Sequence, residues 1–225
     1  MTDVMLFDLD GTLSDTHGLA RATWLEVLRP HGIDVDFKFY QEKIRGQPHE
    51  AVIDDILPDL EKQERQYLLD TQDSYYRNRL SATGPLPGLI PFLDRASEKG
   101  YRLALVTNAP QEIAEKILHS LGLEGKFAVQ AFAEEVKDKK PDPAVYHLAL
   151  ERLHAEPDQC LAFEDSPNGV TAAIKAGLGV IATATTHHPA ELRDAGASLV
   201  VGDFVDVALD NILENPENSK EYGYL

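Results

Sequence analysis

The sequence predicts an α/β fold: a doubly wound parallel sheet with a helical module inserted after the first strand. Short apolar runs, of the kind that form strands buried on both faces, alternate with helical patterns along most of the chain. The first two runs, residues 4–7 and 102–106, are separated by far more chain than the roughly dozen residues that a parallel crossover requires. The alternation predicts the sheet, and the long separation predicts the insertion.

The segment between these two strands contains more helix than a crossover needs. A helix over residues 89–99, closed by Gly100, already supplies the crossover. Residues 16–84 then form an inserted domain, and residues 1–15 and 85–225 form the core domain. Helical patterns separated by Gly- and Pro-containing breaks predict a small bundle in the inserted domain, with helices over residues 16–28, 37–44, 49–57 and 60–80.

The alternation resumes after the second strand and completes the sheet. Buried runs predict further strands, and amphipathic patterns closed by glycine predict further helices. The predicted strands cover residues 127–132, 160–163, 179–183 and 199–201, and the predicted helices cover residues 111–121, 143–153 and 168–176, with later helices beginning near Pro189 and Val205.

The composition argues against several classes of partner. The 225 residues carry 21 Lys and Arg against 38 Asp and Glu, a formal net charge of −17, which disfavours nucleic acid or an anionic membrane as the main partner. Because no signal segment and no run of 18 apolar residues occurs, we expect a cytoplasmic protein, and we expect a monomer or weak dimer. Cys160 is the only cysteine, so an intrachain disulfide and a thiolate zinc site are excluded.

Two carboxylates follow the first predicted strand. Asp8 and Asp10 stand two positions apart in an extended segment, so their side chains face the same side. Like charges this close are tolerable when a divalent cation lies between them or when one carboxyl keeps its proton, and both conditions are typical of catalytic sites. The structural alternative is a strand that ends in a turn at Asp10 and Gly11.

Three further stretches place polar residues at the ends of predicted strands or in the loops beside them. Thr107 and Asn108 precede a helix, where a hydroxyl and main-chain N–H groups suit phosphoryl oxygens. Lys140 is the one residue of its stretch that helix capping does not explain, and Glu164 and Asp165 end a later strand. Considered alone, Thr107 is explained as a helix cap, and Lys140 is explained as an exposed residue of the charged stretch 137–140. Because all of these stretches are predicted to meet at one edge of the sheet, a functional site is favoured over these separate structural explanations.

The charges at this edge indicate the chemistry. Carboxylates gathered around one point require a hard cation with oxygen ligands, and the absence of a dense calcium-type loop favours Mg²⁺. With Lys140 and Thr107 nearby, the missing partner is a phosphate. The Asp8 carboxylate can attack phosphorus, while Asp10 can give a proton to the leaving oxygen and later take one from water. Lys140 and the cation neutralise the transferring group.

The four stretches resemble the motifs of the haloacid dehalogenase superfamily in order and spacing. They match these motifs in turn: Asp8-Leu9-Asp10-Gly11-Thr12 for the first, Thr107 for the second, Lys140 for the third and Glu164-Asp165 for the fourth.

The resemblance assigns roles to these residues. It implies an aspartyl-phosphate intermediate on Asp8, with Asp10 as general acid and base. It also implies Mg²⁺ held by Asp8, the Asp10 carbonyl and Asp165, with Glu164 as an outer ligand. Dehalogenase members lack the second aspartate of the first motif, so Asp10 places this chain with the phosphoryl-transfer members.

The position of the insertion resembles the subclass with a helical cap, which includes beta-phosphoglucomutases, phosphoglycolate phosphatases and sugar-phosphate phosphatases. We expect the cap to choose the substrate through Arg45, Gln47 and His49, which lie around the break at residues 46–48. Arg45 can hold a second anionic group of a substrate, whereas a solvated helix end is the simpler interpretation of His49. Beta-phosphoglucomutases carry a histidine in place of Ala20 and an arginine in place of His49, which counts against mutase activity.

The sequence therefore predicts a magnesium-dependent phosphatase of a small phosphorylated metabolite, such as a sugar phosphate or a phosphoglycolate-like compound. A phosphomutase of the beta-phosphoglucomutase type is the alternative within the family. A non-catalytic regulatory protein that binds a phosphometabolite is the alternative from another class, but mere binding has no need for Asp10. We interpret His187 and His188 as a loop and a helix cap without a metal role, and Trp24 as a core residue of the cap.

Overall fold

The structure is a computed structural model that describes residues 3–45 and 47–214. The chain separates into two compact units: Met1–Asp15 together with Thr83–Leu225, and Thr16–Ala82. We call the first the α/β unit and the second the helical unit. No helix in the described part of the chain has the length and apolar character needed to cross a membrane.

The α/β unit contains a sheet of six parallel strands in the order β3-β2-β1-β4-β5-β6. The strands are β1 (Val4–Phe7), β2 (Arg102–Thr107), β3 (Val129–Phe132), β4 (Cys160–Glu164), β5 (Gly179–Thr183) and β6 (Leu199–Val201). The chain winds outward from β1 on one side and outward from β4 on the other, which confirms the predicted doubly wound sheet. The order reverses between β1 and β4, where this architecture leaves a crevice at the carboxyl ends of the strands.

The helices follow the predicted pattern. The helical unit contains α1 (Thr16–Leu28), α2 (Phe37–Phe39), α3 (His49–Ile56) and α4 (Lys62–Arg79), and the α/β unit contains α5 (Leu89–Glu98), α6 (Gln111–Leu121), α7 (Ala144–Leu153), α8 (Pro167–Lys175), α9 (Pro189–Asp194) and α10 (Val207–Glu214). Of the predicted break at residues 46–48, position 46 lies outside the described residues, as do positions 215–225 of the tail.

The third strand is shorter than predicted. It begins at Val129, although the apolar pattern predicted a start at Phe127. The Phe127 ring is buried and packs against Phe7, with ring centroids 6.2 Å apart. Phe127 therefore lies in the loop before β3. It is apolar because its ring is buried in the core, and not because it pairs within the sheet.

The helical unit has a core of its own. The helix predicted over residues 37–44 consists of α2 followed by a π-helix, Tyr40–Ile44. The Asp36 carboxylate caps its start by accepting a hydrogen bond from the Phe39 N–H (2.7 Å). Trp24 is buried as predicted, and it shares the core with Val27, Leu28, Tyr40, Val52 and Ile53.

The first strand lies between two layers of the core. Because successive strand residues point to opposite faces, Val4 and Leu6 pack into one layer, and Phe7 packs into the other. The Phe7 ring stacks on Phe163, with centroids 4.6 Å apart and an interplanar angle of 10°. Further rings contact Phe7 and complete what we call the aromatic cluster: Phe92, Phe127 and Phe204. The cluster anchors the strand end from which Asp8 projects.

We expect Phe7→Ala to destabilise the protein by about 3–5 kcal/mol, because the truncation leaves a cavity among rings that cannot close over it. Urea unfolding measures the loss. Val205→Ala, at an exposed valine of the same unit, is the control and should cost less than about 0.5 kcal/mol. Equal losses in the two variants would show that the aromatic cluster does not hold β1.

Candidate active site

The carboxyl edge of the sheet gathers residues from the three central strands. Asp8 directly follows β1, Thr107 ends β2, Glu164 ends β4 and Asp165 follows it. The side chain of Lys140 reaches the same edge from the loop before α7. The structure thus brings together residues that lie more than 100 positions apart in the chain, at the place where the strand order reverses.

The Lys140 ammonium is the centre of this group. Its Nζ donates to Asp8 Oδ1 (2.7 Å), to Glu164 Oε1 (2.7 Å) and to the Val106 carbonyl (2.8 Å). Only 4% of the side chain is exposed. An ammonium has three N–H donors, so all three are in use. Contact between Lys140 and a phosphoryl oxygen therefore requires exchange of one of these bonds.

Asn108 holds the main chain of the lysine. Its Oδ1 accepts from the Lys140 N–H (3.2 Å), and its Nδ2 donates to the Lys140 carbonyl (3.4 Å). The predicted phosphate contact of this residue therefore depends on its main-chain N–H. Thr107 Oγ1 accepts from the Ala109 N–H (2.9 Å), which leaves the hydroxyl proton of Thr107 to donate to a phosphoryl oxygen.

The carboxylates of Asp8, Glu164 and Asp165 form a buried cluster in which one oxygen of each lies within 4.8 Å of the others. The Lys140 ammonium pairs with two of the three carboxyl groups, those of Asp8 and Glu164. A buried excess of negative charge and a set of oxygen donors fit a hard divalent cation. The carboxylate of Asp10 is outside this cluster, and the resemblance assigned only its carbonyl to the metal.

Burial and charge act against each other on these groups. Burial raises the pKa of Asp8, the Lys140 ammonium lowers it, and the neighbouring charge of Asp10 raises it. Burial likewise raises the pKa of Glu164 to about 7 against the opposing effect of Lys140. Desolvation disfavours the charged lysine, but Asp8 and Glu164 outweigh it and hold the pKa of Lys140 above its usual range. The ammonium is thus permanently charged in the folded protein.

Two glycines allow the carboxylates to approach the main chain. Gly11 has a φ of +80°, and a Cβ at this position would overlap Asp165 Oδ2. A Cβ at Gly169, in the first turn of α8, would overlap the carboxylate of Glu164. A larger residue at either position would displace a member of the carboxylate cluster.

Sequence reasoning missed the loop after β5. Thr183 Oγ1 donates to the carbonyls of Gly11 (3.4 Å) and Glu164 (3.2 Å), and Thr186 Oγ1 donates to the Asp165 carbonyl (3.0 Å) and to its Oδ2. His187 Nδ1 lies 2.9 Å from the Asp165 carbonyl. The signal was present in the sequence, since Thr183 ends a strand at the same edge of the sheet and Thr185 and Thr186 follow it.

His188 caps α9, as predicted: its Nδ1 accepts from the Ala190 N–H (3.3 Å). A second residue missed by sequence reasoning is Tyr146, whose hydroxyl donates to Glu164 Oε1 (2.7 Å). Tyr146 lies on the apolar face of α7, and a buried tyrosine hydroxyl requires a polar partner. The sequence did not show that Glu164 is the hydrogen-bond acceptor of this hydroxyl.

The three predicted specificity residues lie in the helical unit. Arg45 directly follows the π-helix and donates from Nη1 to Gln41 Oε1 (2.7 Å). Gln47 is exposed, and the His49 ring at the start of α3 meets the Trp24 ring edge-on, with centroids 5.2 Å apart. The contact with Trp24 gives His49 a packing role in its own unit.

The chain is similar to known phosphatases along most of its length. The sequence profile of the haloacid dehalogenase-like hydrolases matches residues 2–177. Validoxylamine A 7'-phosphate phosphatase of Streptomyces hygroscopicus subsp. limoneus is 30% identical over 199 residues, which cover 88% of this chain and 93% of that protein. The phosphorylated carbohydrates phosphatase of Thermotoga maritima is 32% identical over 180 residues, which cover 78% and 82%.

A solved structure shows the same fold. The crystal structure of a putative beta-phosphoglucomutase from Thermotoga maritima matches with a TM-score of 0.79 and 27% identity, over 96% of this chain and 99% of that one. The likeness therefore extends over both units of the chain.

We expect Lys140→Met to destabilise the protein by about 3–5 kcal/mol at pH 8, because it leaves buried carboxylates without their counter-ion. Without the ammonium, the pKa values of Asp8 and Glu164 rise further, and the folded form retains protons that unfolded carboxyls, with pKa values near 4, give up. The deficit should therefore shrink as the pH falls from 8 to 6.

Urea unfolding at both pH values measures this effect. Lys116→Met, which breaks an exposed ion pair with Glu112, is the control and should cost less than about 1 kcal/mol at either pH. A deficit for Lys140→Met that is independent of pH would contradict the assigned role of the ammonium.

Proposed function

Since this chain belongs to the haloacid dehalogenase-like hydrolases, we propose that it hydrolyses the phosphate monoester of a small phosphorylated metabolite. The observation that carries the proposal is the buried ammonium of Lys140 between Asp8 and Glu164, beside Asp165, at the reversal point of the sheet. The names of the two phosphatases described above support a phosphorylated sugar or sugar-like substrate.

In the proposed reaction, Asp8 is the nucleophile. Its carboxylate attacks phosphorus, and the bond from phosphorus to the ester oxygen breaks, which leaves an aspartyl phosphate and the alcohol of the substrate. Asp10 gives its proton to the departing oxygen. In the second half, Asp10 takes a proton from water, the water oxygen attacks phosphorus, and inorganic phosphate leaves Asp8 in its original state.

The surrounding residues prepare this attack. The Lys140 ammonium opposes the effect of burial on Asp8 and so favours the ionised, nucleophilic form. The Thr107 hydroxyl and the Asn108 main-chain N–H are proposed to bind phosphoryl oxygens. Lys140 itself supplies a fixed positive charge near the transferring group.

Mg²⁺ is the proposed cofactor. Asp8, Asp165 and the Asp10 carbonyl would hold it, with Glu164 as an outer ligand. When bound, it supplies positive charge that stabilises the charge developing on the phosphoryl group. The donors are all oxygens, as this cation prefers, and the cluster has the excess negative charge to bind it.

We propose that residues 16–84 act as a cap that selects the substrate, with Arg45, Gln47 and His49 as its specificity residues. The residues proposed for the chemistry lie in the α/β unit and recognise only the phosphoryl group. Discrimination among phosphate esters then requires contacts with the rest of the substrate, and a cap supplies them while excluding water.

A phosphomutase is the second candidate, favoured by the similarity to the putative beta-phosphoglucomutase of Thermotoga maritima. The two functions differ in the fate of the phosphoenzyme: water takes the phosphoryl group in a phosphatase, and a second sugar phosphate takes it in a mutase. Ala20 and His49, which depart from the mutase pattern, support the phosphatase. Interconversion of glucose 1-phosphate and glucose 6-phosphate, stimulated by the bisphosphate, would reverse this order.

We expect hydrolysis of an aryl phosphate to require a divalent cation and to be lost in Asp8→Asn, because the amide is neither a nucleophile nor an anionic metal ligand. Phosphate release with Mg²⁺ and with chelator measures both effects. Asp94→Asn, at an exposed aspartate of the α/β unit, is the matched control and should retain full activity. Turnover in the presence of chelator, or by Asp8→Asn, would refute the proposed function.

Asp10→Asn tests the general acid. The first step should slow by about 10²–10⁴-fold for an alkyl phosphate, whose leaving oxygen needs a proton, and by much less for an activated aryl phosphate. Rapid-quench measurement of phosphoenzyme formation separates this step from hydrolysis. If both substrates slow by the same factor, Asp10 is not the acid.

Arg45→Ala tests the specificity residue of the cap. If Arg45 binds an anionic or hydroxyl group of the natural substrate, kcat/KM for that substrate should fall on the order of 10-fold, the effect of a lost charge-assisted hydrogen bond. A small aryl phosphate offers no such group and should react almost normally. A screen of sugar phosphates and phosphoglycolate identifies the natural substrate, and equal losses on both substrates would place specificity elsewhere in residues 16–84.

A further inference from the structure

Tyr146 is buried beside the carboxylate cluster and belongs to none of the four motif stretches. It lies in the first turn of α7, six positions after Lys140, and none of its surface is exposed. Its neighbours on the same face of the helix, Ala149 and Leu150, are apolar members of the core. A phenylalanine would satisfy such a position by packing alone, so the hydroxyl is the feature that requires an explanation.

The hydroxyl of Tyr146 is one of two donors to a single oxygen of Glu164. Tyr146 Oη and Lys140 Nζ each lie 2.7 Å from Glu164 Oε1. The other oxygen, Oε2, has no hydrogen-bond partner among the described residues and lies against the bare Cα of Gly169. The orientation of the carboxylate is therefore set on one side by Tyr146 and Lys140 and on the other by the lack of a side chain at residue 169.

A continuous chain of contacts links this hydroxyl to Asp8. Glu164 Oε1 is one of three acceptors around the Lys140 ammonium, and Asp8 Oδ1 is another. The ammonium also lies 5.1 Å from the centre of the Tyr146 ring. If the Glu164 carboxylate turns, Lys140 loses an acceptor and shifts relative to Asp8. Small displacements of a reacting group lower rates steeply because attack requires alignment.

We propose that Tyr146 is a positioning residue of the phosphoryl-transfer site: its hydroxyl fixes the Glu164 carboxylate, which keeps Lys140 in place on Asp8. The inference deepens the proposed function and rests on it. Tyr146 itself touches no reacting atom in this scheme and acts only through Glu164. Outer partners of this kind commonly change activity or metal affinity by about 10–100-fold when they are removed.

Tyr146→Phe isolates the hydroxyl, because it keeps the ring and its packing. We expect kcat for an aryl phosphate to fall on the order of 10-fold while KM stays within about twofold, since the chemical step and not substrate binding depends on the alignment of Asp8. Tyr101→Phe is the matched control: Tyr101 is also buried in the α/β unit, and its hydroxyl donates to the Ile212 carbonyl (3.4 Å). The control should leave kcat unchanged.

Gly169→Ala disturbs the same carboxylate from the opposite side, with Tyr146 intact, and should lower kcat in the same way. It also keeps the inference testable if Tyr146→Phe does not fold. In the background of Glu164→Gln, Tyr146→Phe should have no further effect, because the proposed influence passes through residue 164. Unchanged kcat in either folded variant, or additive losses in the double variant, would overturn the inference.

Calorimetric titration of the substrate-free proteins with Mg²⁺ is a readout that does not depend on turnover. The Kd should rise several-fold in Tyr146→Phe, because Glu164 belongs to the carboxylate cluster, and it should not change in Tyr101→Phe. Failure of the proposed function would appear as absent turnover by the unaltered protein. Failure of the positioning role would appear as identical behaviour of the two tyrosine variants, so the two failures are distinguishable.

Discussion

The buried ammonium of Lys140 is the interaction on which the candidate site depends. Its three acceptors come from three adjacent strands: Asp8 follows β1, the Val106 carbonyl belongs to β2, and Glu164 ends β4. The ammonium of Lys140 therefore links the carboxyl ends of these three adjacent strands. Removing a charge from water is costly, and a lysine this deeply buried is tolerated because each of its three N–H donors has an acceptor.

The carboxylates around this lysine are positioned by side-chain donors and by close contact with glycine main chain. Gly11 and Gly169 allow the carboxylates of Asp165 and Glu164 to approach closely. Thr183 at the end of β5 and Thr186 in the following loop bond to main-chain carbonyls of Gly11, Glu164 and Asp165. Three carboxyl groups gathered beside the ammonium of Lys140 are the feature on which the proposed cation site rests.

The two units of the chain divide the proposed work. The α/β unit contains the carboxylate cluster, Lys140 and Thr107, and the helical unit contains Arg45, Gln47 and His49. The helical unit has a separate core around Trp24, so its helices can change sequence at the surface without disturbing the chemistry.

The sequence by itself determined the fold and the principal members of the site, because both depend on local patterns. Apolar runs specify strands, and parallel strands present their carboxyl ends at one edge, so Asp8, Lys140 and Asp165 could be grouped without coordinates. Only the tertiary structure decided that the three donors of Lys140 are all bonded and that the Asn108 side chain holds the lysine's main chain instead of facing a phosphate.

The contacts of Tyr146 and of the threonines at and after the end of β5 likewise required the folded structure. The hydroxyl of Tyr146 meets Glu164 across 18 positions of sequence, and Thr183 meets Gly11 across 172 positions. Hydrogen bonds of this kind depend on how α7 and the loops pack, to within a few tenths of an ångström, and a sequence pattern contains no such distances. Local periodicity thus determines which residues reach the edge of the sheet, and packing determines which of them touch.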